Sequence, residues 1–183
     1  MRIFNSILAV LVSLTLSLGL MSCSSNINDY ANTRPQFALD EYFNGELTAH
    51  GMVQDRSGKV LRRFTVAMVG TWQGNKGTLE EDFVYDDGEL QRRVWHIEKT
   101  ADGHYTGTAS DVVVPAKGQT QGFALNWRYT LAVPVDGRVW NINFNDWMYQ
   151  LDDKRVLNRA EMTKFGFKVG EVTLWIERAE PKE

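Results

Sequence analysis

The sequence predicts an all-β fold, an antiparallel up-and-down barrel of about 8–10 strands that follows a signal peptide and a short tether. Two observations support the strands: apolar residues recur at every second position after Phe43, and Gly and Asp interrupt this alternation at short intervals. The third is an aromatic content of 6 Trp, 6 Tyr and 9 Phe, which suits pleated sheets and compact β cores.

The N-terminal residues have the features of a signal peptide. The chain begins with Met1 and Arg2, continues through an apolar stretch over residues 7–20, and has no acidic residue before Asp29. An export machinery recognises this order of charge and apolarity, and the stretch is short for a comfortable membrane span. We therefore predict that residues 1–22 are a signal peptide that is removed.

The single cysteine of the chain, Cys23, lies where this signal peptide ends. The preceding residues, Leu20-Met21-Ser22, resemble a bacterial lipobox. We predict lipidation of Cys23 by a diacylglyceryl group and an amide-linked acyl chain such as palmitate, because stable anchoring requires more than one chain. Ser24 in place of Asp favours the outer membrane facing the periplasm. The alternative is an ordinary secreted protein with one unpaired cysteine.

The remaining chain is long enough for one domain with its own core. About 160 residues follow the cut. We expect an acylated cysteine and polar tether over residues 23–38, rich in Ser, Asn, Asp, Thr and Pro, and a single β-barrel domain over residues 39–183.

Composition argues against several classes of partner. The chain has 20 Lys+Arg and 23 Asp+Glu, a net charge of -3, and its basic residues are dispersed, so we expect no nucleic-acid partner. Once Cys23 is modified, the domain has no free thiol. His50, His96 and His104 are scattered without a carboxylate or histidine at ligand spacing. We therefore predict neither a metal nor a cofactor.

The order of elements is a short helical turn at residues 39–43 followed by about nine strands joined by short turns. The predicted strands cover residues 46–53, 60–72, 78–85, 89–99, 104–114, 121–134, 138–150, 155–165 and 169–178. Such an antiparallel meander either packs as two sheets or closes as a barrel of the lipocalin kind. We favour the barrel, because closure removes exposed edges.

The turn at residues 136–137 fixes the register of one hairpin, because Asp-Gly is a preferred two-residue loop. Pairing outward from this turn places apolar residues opposite each other until an acidic residue is reached: Val133 opposite Trp140, Leu131 opposite Ile142, Tyr129 opposite Phe144, and Trp127 opposite Asp146. The other face of the hairpin is rich in Asn, so we expect it to be solvated.

Two three-residue turns, residues 86–88 and residues 101–103, each end in Gly and fix a second set of partners. The first places Glu81 opposite Arg93, and the second places Arg93 opposite Asp111. All three would lie on the inward face, since Arg93 shares its face with Trp95. The sequence thus predicts an inward-facing cluster of Glu81, Arg93 and Asp111. Trp127 and Asp146 form a second inward-facing polar group.

This cluster has two interpretations. It is either a structural network in which Arg93 neutralises two carboxylates, or the polar end of a ligand cavity. Flanking acids disfavour a carboxylate ligand, so a neutral or hydroxylated headgroup is at least as plausible. Acid/base chemistry at Glu81 or Asp111 would require a pKa well above the usual value. The candidate ligand-binding residues are Glu81, Arg93, Trp95, Asp111, Trp127, Tyr129, Phe144 and Asp146. Whether Asn158 or Arg159 faces inward depends on the length of the turn before them.

Short motifs spread over the chain carry a resemblance to a known family. They include Tyr42-Phe43-Asn44-Gly45, Glu80-Glu81-Asp82-Phe83, Arg92-Arg93-Val94-Trp95, Asp111-Val112-Val113, Asp146-Trp147-Met148-Tyr149 and Lys164-Phe165-Gly166. In these the chain resembles the bacterial lipoproteins grouped as domain of unknown function 3833, although it has Val114-Pro115 where members tend to have Gly. The resemblance implies a periplasm-facing lipoprotein with a calycin-like barrel and no assigned activity. Members also tend to be encoded near enzymes that modify fatty acyl chains.

Three functions follow as hypotheses. The first is a membrane-anchored barrel that binds a hydrophobic, fatty-acyl-like small molecule and is linked to envelope lipid modification. The second is an enzyme that acts on an acyl or isoprenoid substrate inside the barrel, and the third is a cell-envelope scaffold with an inert core. The sequence identifies neither protein partners nor catalytic residues.

Overall fold

A computed structural model describes residues 25–135 and 137–179 of the chain. The predicted signal peptide and the predicted lipidation site, Cys23, lie outside the described residues. The described residues form one closed antiparallel β-barrel.

Every strand of the barrel pairs with its neighbours in the sequence, and the last strand pairs with the first. The strands are β1 (Gly45–Asp55), β2 (Val60–Gln73), β3 (Lys76–Tyr85), β4 (Leu90–Ala101), β5 (His104–Thr108), β6 (Val112–Gln121), β7 (Ala124–Val135), β8 (Arg138–Gln150), β9 (Arg155–Lys164) and β10 (Phe167–Arg178). The up-and-down barrel of about 8–10 strands is thus confirmed, and the alternative of two packed sheets is wrong.

The prediction of about nine strands missed one hairpin. Residues 104–121 form two strands, β5 and β6, joined by a turn at residues 109–111, and β7 begins at Ala124. The β6 strand is irregular around Pro115, where its register with β7 shifts between Val114 and Lys117. Proline lacks the N–H that a β-ladder hydrogen bond needs, so it lies at such an irregularity. A proline within a run of apolar residues also argues against a strand when only the sequence is considered.

The predicted registers of the β3–β4 and β7–β8 hairpins are confirmed, but Asp111 is not paired opposite Arg93, because β5 ends at Thr108 and Asp111 lies in the turn that follows. Glu81 lies opposite Arg93, and Trp127 lies opposite Asp146. In the β3–β4 turn, the Tyr85 N–H donates to Glu89 and Gly88 adopts a φ of 87°, so the loop has the three residues expected. Glycine adopts this left-handed backbone conformation without steric cost. The position of Gly88 therefore sets the length of the turn, and the length of the turn fixes the register of the two strands.

The two ends of the barrel differ. At one end, which we call the closed end, a short helix α1 (Leu39–Tyr42) lies across the interior, as the predicted helical turn required. Phe37 and Phe43 flank this helix and are, like it, almost fully buried. The opposite end, which we call the open end, contains the turns that follow β1, β3, β5, β7 and β9.

Hydrogen bonds fix this closed end. The Tyr42 hydroxyl donates to the carbonyl oxygens of Lys154 and Ile176, at 2.9 and 3.1 Å. The indole N–H of Trp72 donates to the carbonyl oxygen of Phe43 at 3.0 Å. Lys154 lies in the β8–β9 turn, Ile176 in β10 and Trp72 in β2, so the closing segment is held on several sides of the barrel.

The segment predicted as a free tether is packed for much of its length. A 3₁₀ turn (Ile27–Tyr30) places the Tyr30 ring 5.3 Å from that of Phe123, and the Phe37 N–H donates to Gly122 at 2.7 Å. Aromatic contacts of this kind hold the segment against the closed end, so the described part of the predicted tether is packed rather than free. Within residues 25–135 and 137–179, no helix is long and apolar enough to cross a membrane.

Candidate functional site

The interior of the barrel contains a cavity of about 780 Å³ that extends from α1 toward the open end. Its floor is formed by Leu39 and Phe43, and its mouth by residues that include Leu61 and Val135. Most of the lining is apolar, with a few charged and polar groups contributed by several strands. Cavities of this size and composition are typical of small-molecule sites.

All eight candidate residues predicted from the sequence line this cavity. They are Glu81, Arg93, Trp95, Asp111, Trp127, Tyr129, Phe144 and Asp146. Their inward direction follows from the registers described above, because side chains in a strand alternate between its two faces.

Arg93 is the centre of the first polar group. Its guanidinium donates side-on to Asp111, with Nε–Oδ2 at 3.0 Å and Nη2–Oδ2 at 2.8 Å. Its Nη1 lies 3.7 Å from Oε2 of Glu81, which is a charge contact but too long for a hydrogen bond. Burial alone would lower the pKa of Arg93, but Asp111 and Glu81 raise it. Arg93 therefore stays charged, and two of its guanidinium nitrogens, Nε and Nη2, already donate to Asp111.

Glu81 has one carboxylate oxygen that is left without a hydrogen bond. Its side chain is 14% exposed, and its Oε2 is buried with no hydrogen-bond partner among the described residues. Burial raises the pKa of Glu81 to about 7, because desolvation outweighs the charge of Arg93. This carboxyl thus exchanges a proton near neutral pH, contrary to the lowered pKa expected of an acid beside arginine.

Asp146 is the centre of the second polar group. Asn158 donates to one carboxylate oxygen, and the Tyr129 hydroxyl lies 3.4 Å from the other. Burial raises the pKa of Asp146 to about 7, although both of these hydrogen bonds act to lower it, and the charge of Glu81 raises it further. The pKa of the Tyr129 hydroxyl is also raised, chiefly by burial, so it remains a donor.

Aromatic rings pack against one another beside the polar groups. The Tyr129 and Phe144 rings stack at 4.9 Å, and Trp95 meets Trp127 and Tyr129 edge-on at 5.8 and 5.4 Å. Gly118, on the neighbouring strand, leaves room for the Trp127 indole, since a Cβ there would lie 2.2 Å from it. Trp127 is thus fixed in position beside Asp146.

The sequence left one inward residue undecided and missed others. The β8–β9 turn has three loop residues, closed by a Leu151 N–H bond to Arg155. This register turns Asn158 inward, where it is 2% exposed, and Arg159 outward, where it pairs with Glu171. Gln91, Met148 and Met162 also line the cavity, and these long side chains gave no signal beyond ordinary alternation.

The chemistry open to this site is binding and proton exchange. Two carboxyl groups with raised pKa values face an apolar cavity, and one guanidinium is already paired. Among residues 25–135 and 137–179, no group of three or more His, Cys, Asp or Glu side chains is arranged to hold a metal ion.

Comparisons with known proteins identify the kind of fold. The family model described as "Protein of unknown function (DUF3833)" matches residues 17–178. No curated protein matches the sequence.

Two solved structures resemble the barrel. The structure of an S-type phycobiliprotein lyase from Guillardia theta has a TM-score of 0.60 at 8% identity, covering 78% of this chain and 92% of the lyase. EF1p2_mFAP2b in its complex with DFHBI has a TM-score of 0.44 at 10% identity, covering 78% and 100% of the two chains. The likeness to the lyase confirms the predicted calycin-like, lipocalin-like barrel and concerns the fold alone.

Proposed function

We propose that this chain, which belongs to the DUF3833 family of proteins of unknown function, binds a hydrophobic small molecule inside its barrel. The observation that carries the proposal is the cavity of about 780 Å³, which is mostly apolar and reaches the open end. Burial of apolar surface at roughly 25 cal/mol per Å² would supply the affinity. The fold shared with a lyase is consistent with a barrel that receives a ligand.

The ligand we propose is fatty-acyl-like with a neutral, hydrogen-bonding headgroup. A chain would lie along the apolar wall, and its headgroup would reach Oε2 of Glu81, which has no partner among the described residues. Asp111 already occupies two guanidinium nitrogens of Arg93, so an anionic headgroup would have to displace it. A hydroxyl or amide donor would instead satisfy Glu81 without competition.

A cavity-filling substitution tests the proposal. We expect Ala160→Phe, which adds a ring to a cavity-lining position, to weaken binding of the neutral probe N-phenyl-1-naphthylamine by about tenfold or more. The probe's fluorescence provides the measurement. Ala67→Phe is the matched control, because Ala67 is exposed on the outer wall and the same ring cannot enter the cavity.

The two outcomes are distinct. Unchanged probe binding by folded Ala160→Phe protein would contradict an interior site. If circular dichroism shows that this variant is unfolded, Val133→Trp, nearer the mouth, replaces it. For the headgroup, cis-parinaryl alcohol should bind more tightly than cis-parinaric acid above pH 7, where Glu81 and Asp146 are ionised. Tighter binding of the acid would contradict the neutral headgroup.

The same proposal includes the location of the protein. We propose that acyl chains on Cys23 anchor the chain to the outer membrane facing the periplasm, where the barrel takes part in envelope lipid modification. Incorporation of labelled palmitate by the full chain, and its loss in Cys23→Ala, would support this. Labelling that persists in the variant would contradict it.

One observation favours a second candidate function, an enzyme that acts on an acyl or isoprenoid substrate. Glu81 has a pKa of about 7 and faces the cavity, which is suitable for general acid/base catalysis. Incubation of a membrane lipid extract with the protein, followed by mass spectrometry, would reveal a new product. Glu81→Gln should abolish that product while naphthylamine binding persists, and a product formed equally by the variant would exclude Glu81 as the catalyst.

A further inference from the structure

Two buried polar atoms on residues that line the cavity have no hydrogen-bond partner among residues 25–135 and 137–179. They are Nε of Arg62, which is a donor, and Oε2 of Glu81, which is an acceptor when the carboxyl is ionised. A third such atom, Oε1 of Gln150, belongs to a residue outside the lining. Each unsatisfied buried group costs stability, so two of them in one cavity require an explanation.

Other polar side chains of the lining bond to each other. The pairs are Tyr85 with Gln91, Arg93 with Asp111, and Asp146 with Asn158. The unpartnered atoms of Arg62 and Glu81 are therefore exceptions in a lining that satisfies many of its own hydrogen bonds. A ligand that enters the cavity is the partner such atoms can still acquire.

The two unpartnered atoms lie at different depths. Arg62 is at the mouth, where its Nη2 pairs with Asp87 and Glu89 of the β3–β4 turn, each at 2.9 Å. Its guanidinium carbon lies 3.8 Å from the centroid of the Tyr85 ring. Glu81 precedes Tyr85 by four residues on β3, which at about 3.3 Å per residue places it roughly 13 Å deeper in the barrel.

The wall between these two depths is apolar. Phe83 lies between Tyr85 and Glu81 on the inner face of β3, and Phe64 and Val66 line the cavity from the neighbouring strand β2. These three apolar side chains are between 2% and 9% exposed. From the mouth inward, the cavity thus presents a donor, an apolar stretch and an acceptor.

The charges at each depth indicate the chemistry of the two ligand ends. At the mouth, Asp87 and Glu89 already contact the guanidinium of Arg62, so an anionic end group would be repelled by them. A neutral carbonyl accepts from Nε without this repulsion. At the inner end, a hydroxyl suits Glu81 best, because it can donate to the ionised carboxyl and accept from the protonated one.

We propose that the ligand is an elongated neutral molecule with a polar group at each end, a hydroxyl that bonds to Glu81 and a carbonyl that bonds to Nε of Arg62, roughly 13 Å apart. This two-ended ligand rests on the proposed binding function and adds to it a second polar end and a fixed direction. Esters and amides of ω-hydroxyacyl chains have this form. A simple fatty alcohol or ester satisfies only one of the two atoms.

Competition against N-phenyl-1-naphthylamine tests the proposal on the unmodified protein. The competitors are methyl 8-hydroxyoctanoate, methyl 12-hydroxydodecanoate and methyl 16-hydroxyhexadecanoate, each compared with the plain methyl ester of the same length. The terminal hydroxyl should strengthen binding by about tenfold in the dodecanoate, whose extended length is close to the spacing of the two atoms, and by less in the other two. An equal gain at all three lengths, or weaker binding at every length, would overturn the proposal.

Two substitutions assign the two ends. Arg62→Met removes the outer donor and should weaken binding of both dodecanoate esters by about tenfold, while 1-dodecanol binds as before. Glu81→Met should leave the plain ester unchanged and remove the gain from the terminal hydroxyl. Arg63→Met is the matched control, because Arg63 is an exposed neighbour that pairs with Asp86 of the same turn. Circular dichroism checks that each variant is folded.

A further variant separates the Nε of Arg62 from its ion pairs. Asp87→Asn/Glu89→Gln removes both ion pairs and keeps the guanidinium, so it should bind methyl dodecanoate at least as tightly as the wild-type protein. Equal weakening by this variant and by Arg62→Met would mean that the order of the turn matters and would overturn the role of Nε. Weakening of 1-dodecanol as large as that of the ester in Arg62→Met would do the same.

Failure of the two-ended ligand and failure of the proposed function give different results. If naphthylamine does not bind, or no competitor displaces it, both the interior site and the two-ended ligand are contradicted. If naphthylamine binds and the hydroxy esters displace it no better than the plain esters, the interior site stands and the two-ended ligand is refuted.

Discussion

The two ends of this barrel use the same residue types in opposite ways. At the closed end, Phe37, Tyr42 and Phe43 are between 2% and 3% exposed. At the open end, Phe165 and Phe167 are 75% or more exposed. Aromatic rings at one end are therefore part of the core, and at the other they are available for contact.

The polar groups follow the same division. Asp40, near the closed end, accepts hydrogen bonds from Lys99 and Tyr105 at 2.9 and 2.7 Å. Burial would raise the pKa of Asp40, but these bonds lower it below the usual value. Glu81 lies inside the cavity with an unpartnered oxygen and a raised pKa. The buried charge near the closed end is thus fully paired, whereas the cavity leaves one carboxylate oxygen of Glu81 without a partner, at a cost in stability, where a ligand can reach it.

The largest expected effect tests the comparison of aromatic rings. Phe43→Ala removes a ring that is 3% exposed and forms part of the cavity floor, so we expect the free energy of unfolding to fall by about 3–5 kcal/mol. Phe165→Ala, the matched change at the open end, should change it by less than about 0.5 kcal/mol. Chemical denaturation measures both, and equal losses would break the comparison.

The next effect concerns the raised carboxyl groups. The folded protein holds protons on Glu81 and Asp146 up to about pH 7, whereas the unfolded chain releases them near their usual values of 4.5 and 3.8. Their contribution is therefore complete below the unfolded pKa and is lost as the pH rises through the folded one.

We expect the wild-type protein to lose roughly 5 kcal/mol of stability between about pH 5 and pH 8, about half of it from each carboxyl group. Glu81→Gln/Asp146→Asn should flatten this dependence, and Asp82→Asn, on the outer wall beside Arg92, should not. Denaturation curves at several pH values provide the test. A wild-type protein that gains stability over this range would show that both carboxyls are ionised in the fold.

The smallest effect distinguishes the filled part of the interior from the cavity. A Cβ at Gly118 would lie 2.2 Å from the Trp127 ring, so Gly118→Ala should destabilise the fold by about 1–3 kcal/mol through overpacking. Val133→Ile adds one methylene to a residue that lines the cavity, and we expect little loss. Thermal unfolding of the two variants compares them, and equal losses would indicate that the cavity walls are as tightly packed as the region around Trp127.

Much of this architecture follows from turn chemistry. The Asp-Gly pair at residues 136–137 and the turn at residues 86–88 fix their hairpins to the residue, and those registers bring Arg93 to Glu81 and Trp127 to Asp146. Local rules suffice here because a two- or three-residue loop permits few backbone conformations.

The rest depends on features that no local rule describes. The turn at residues 109–111 contains no glycine, and Pro115 interrupts the strand after it, so the hairpin of β5 and β6 gave no clear pattern. The raised pKa of Glu81 depends on burial against three strands, and the cavity depends on how ten strands close. The exposed apolar residues of the open end, such as Phe165 and Phe167, were not predicted, because single exposed residues are unremarkable until the turns that carry them are brought together.

Closure of the sheet by its first and last strands has a consequence for how the chain folds. Nine of the ten ladders join consecutive strands and can form as soon as each hairpin is complete, but the ladder of β1 with β10 joins Leu47 to Arg178. Contacts so distant in sequence form slowly, because the loop-closure entropy must be overcome first. We expect a late intermediate with two unpaired edges, β1 and β10, and truncation before Phe167 would arrest the chain in an aggregation-prone open sheet.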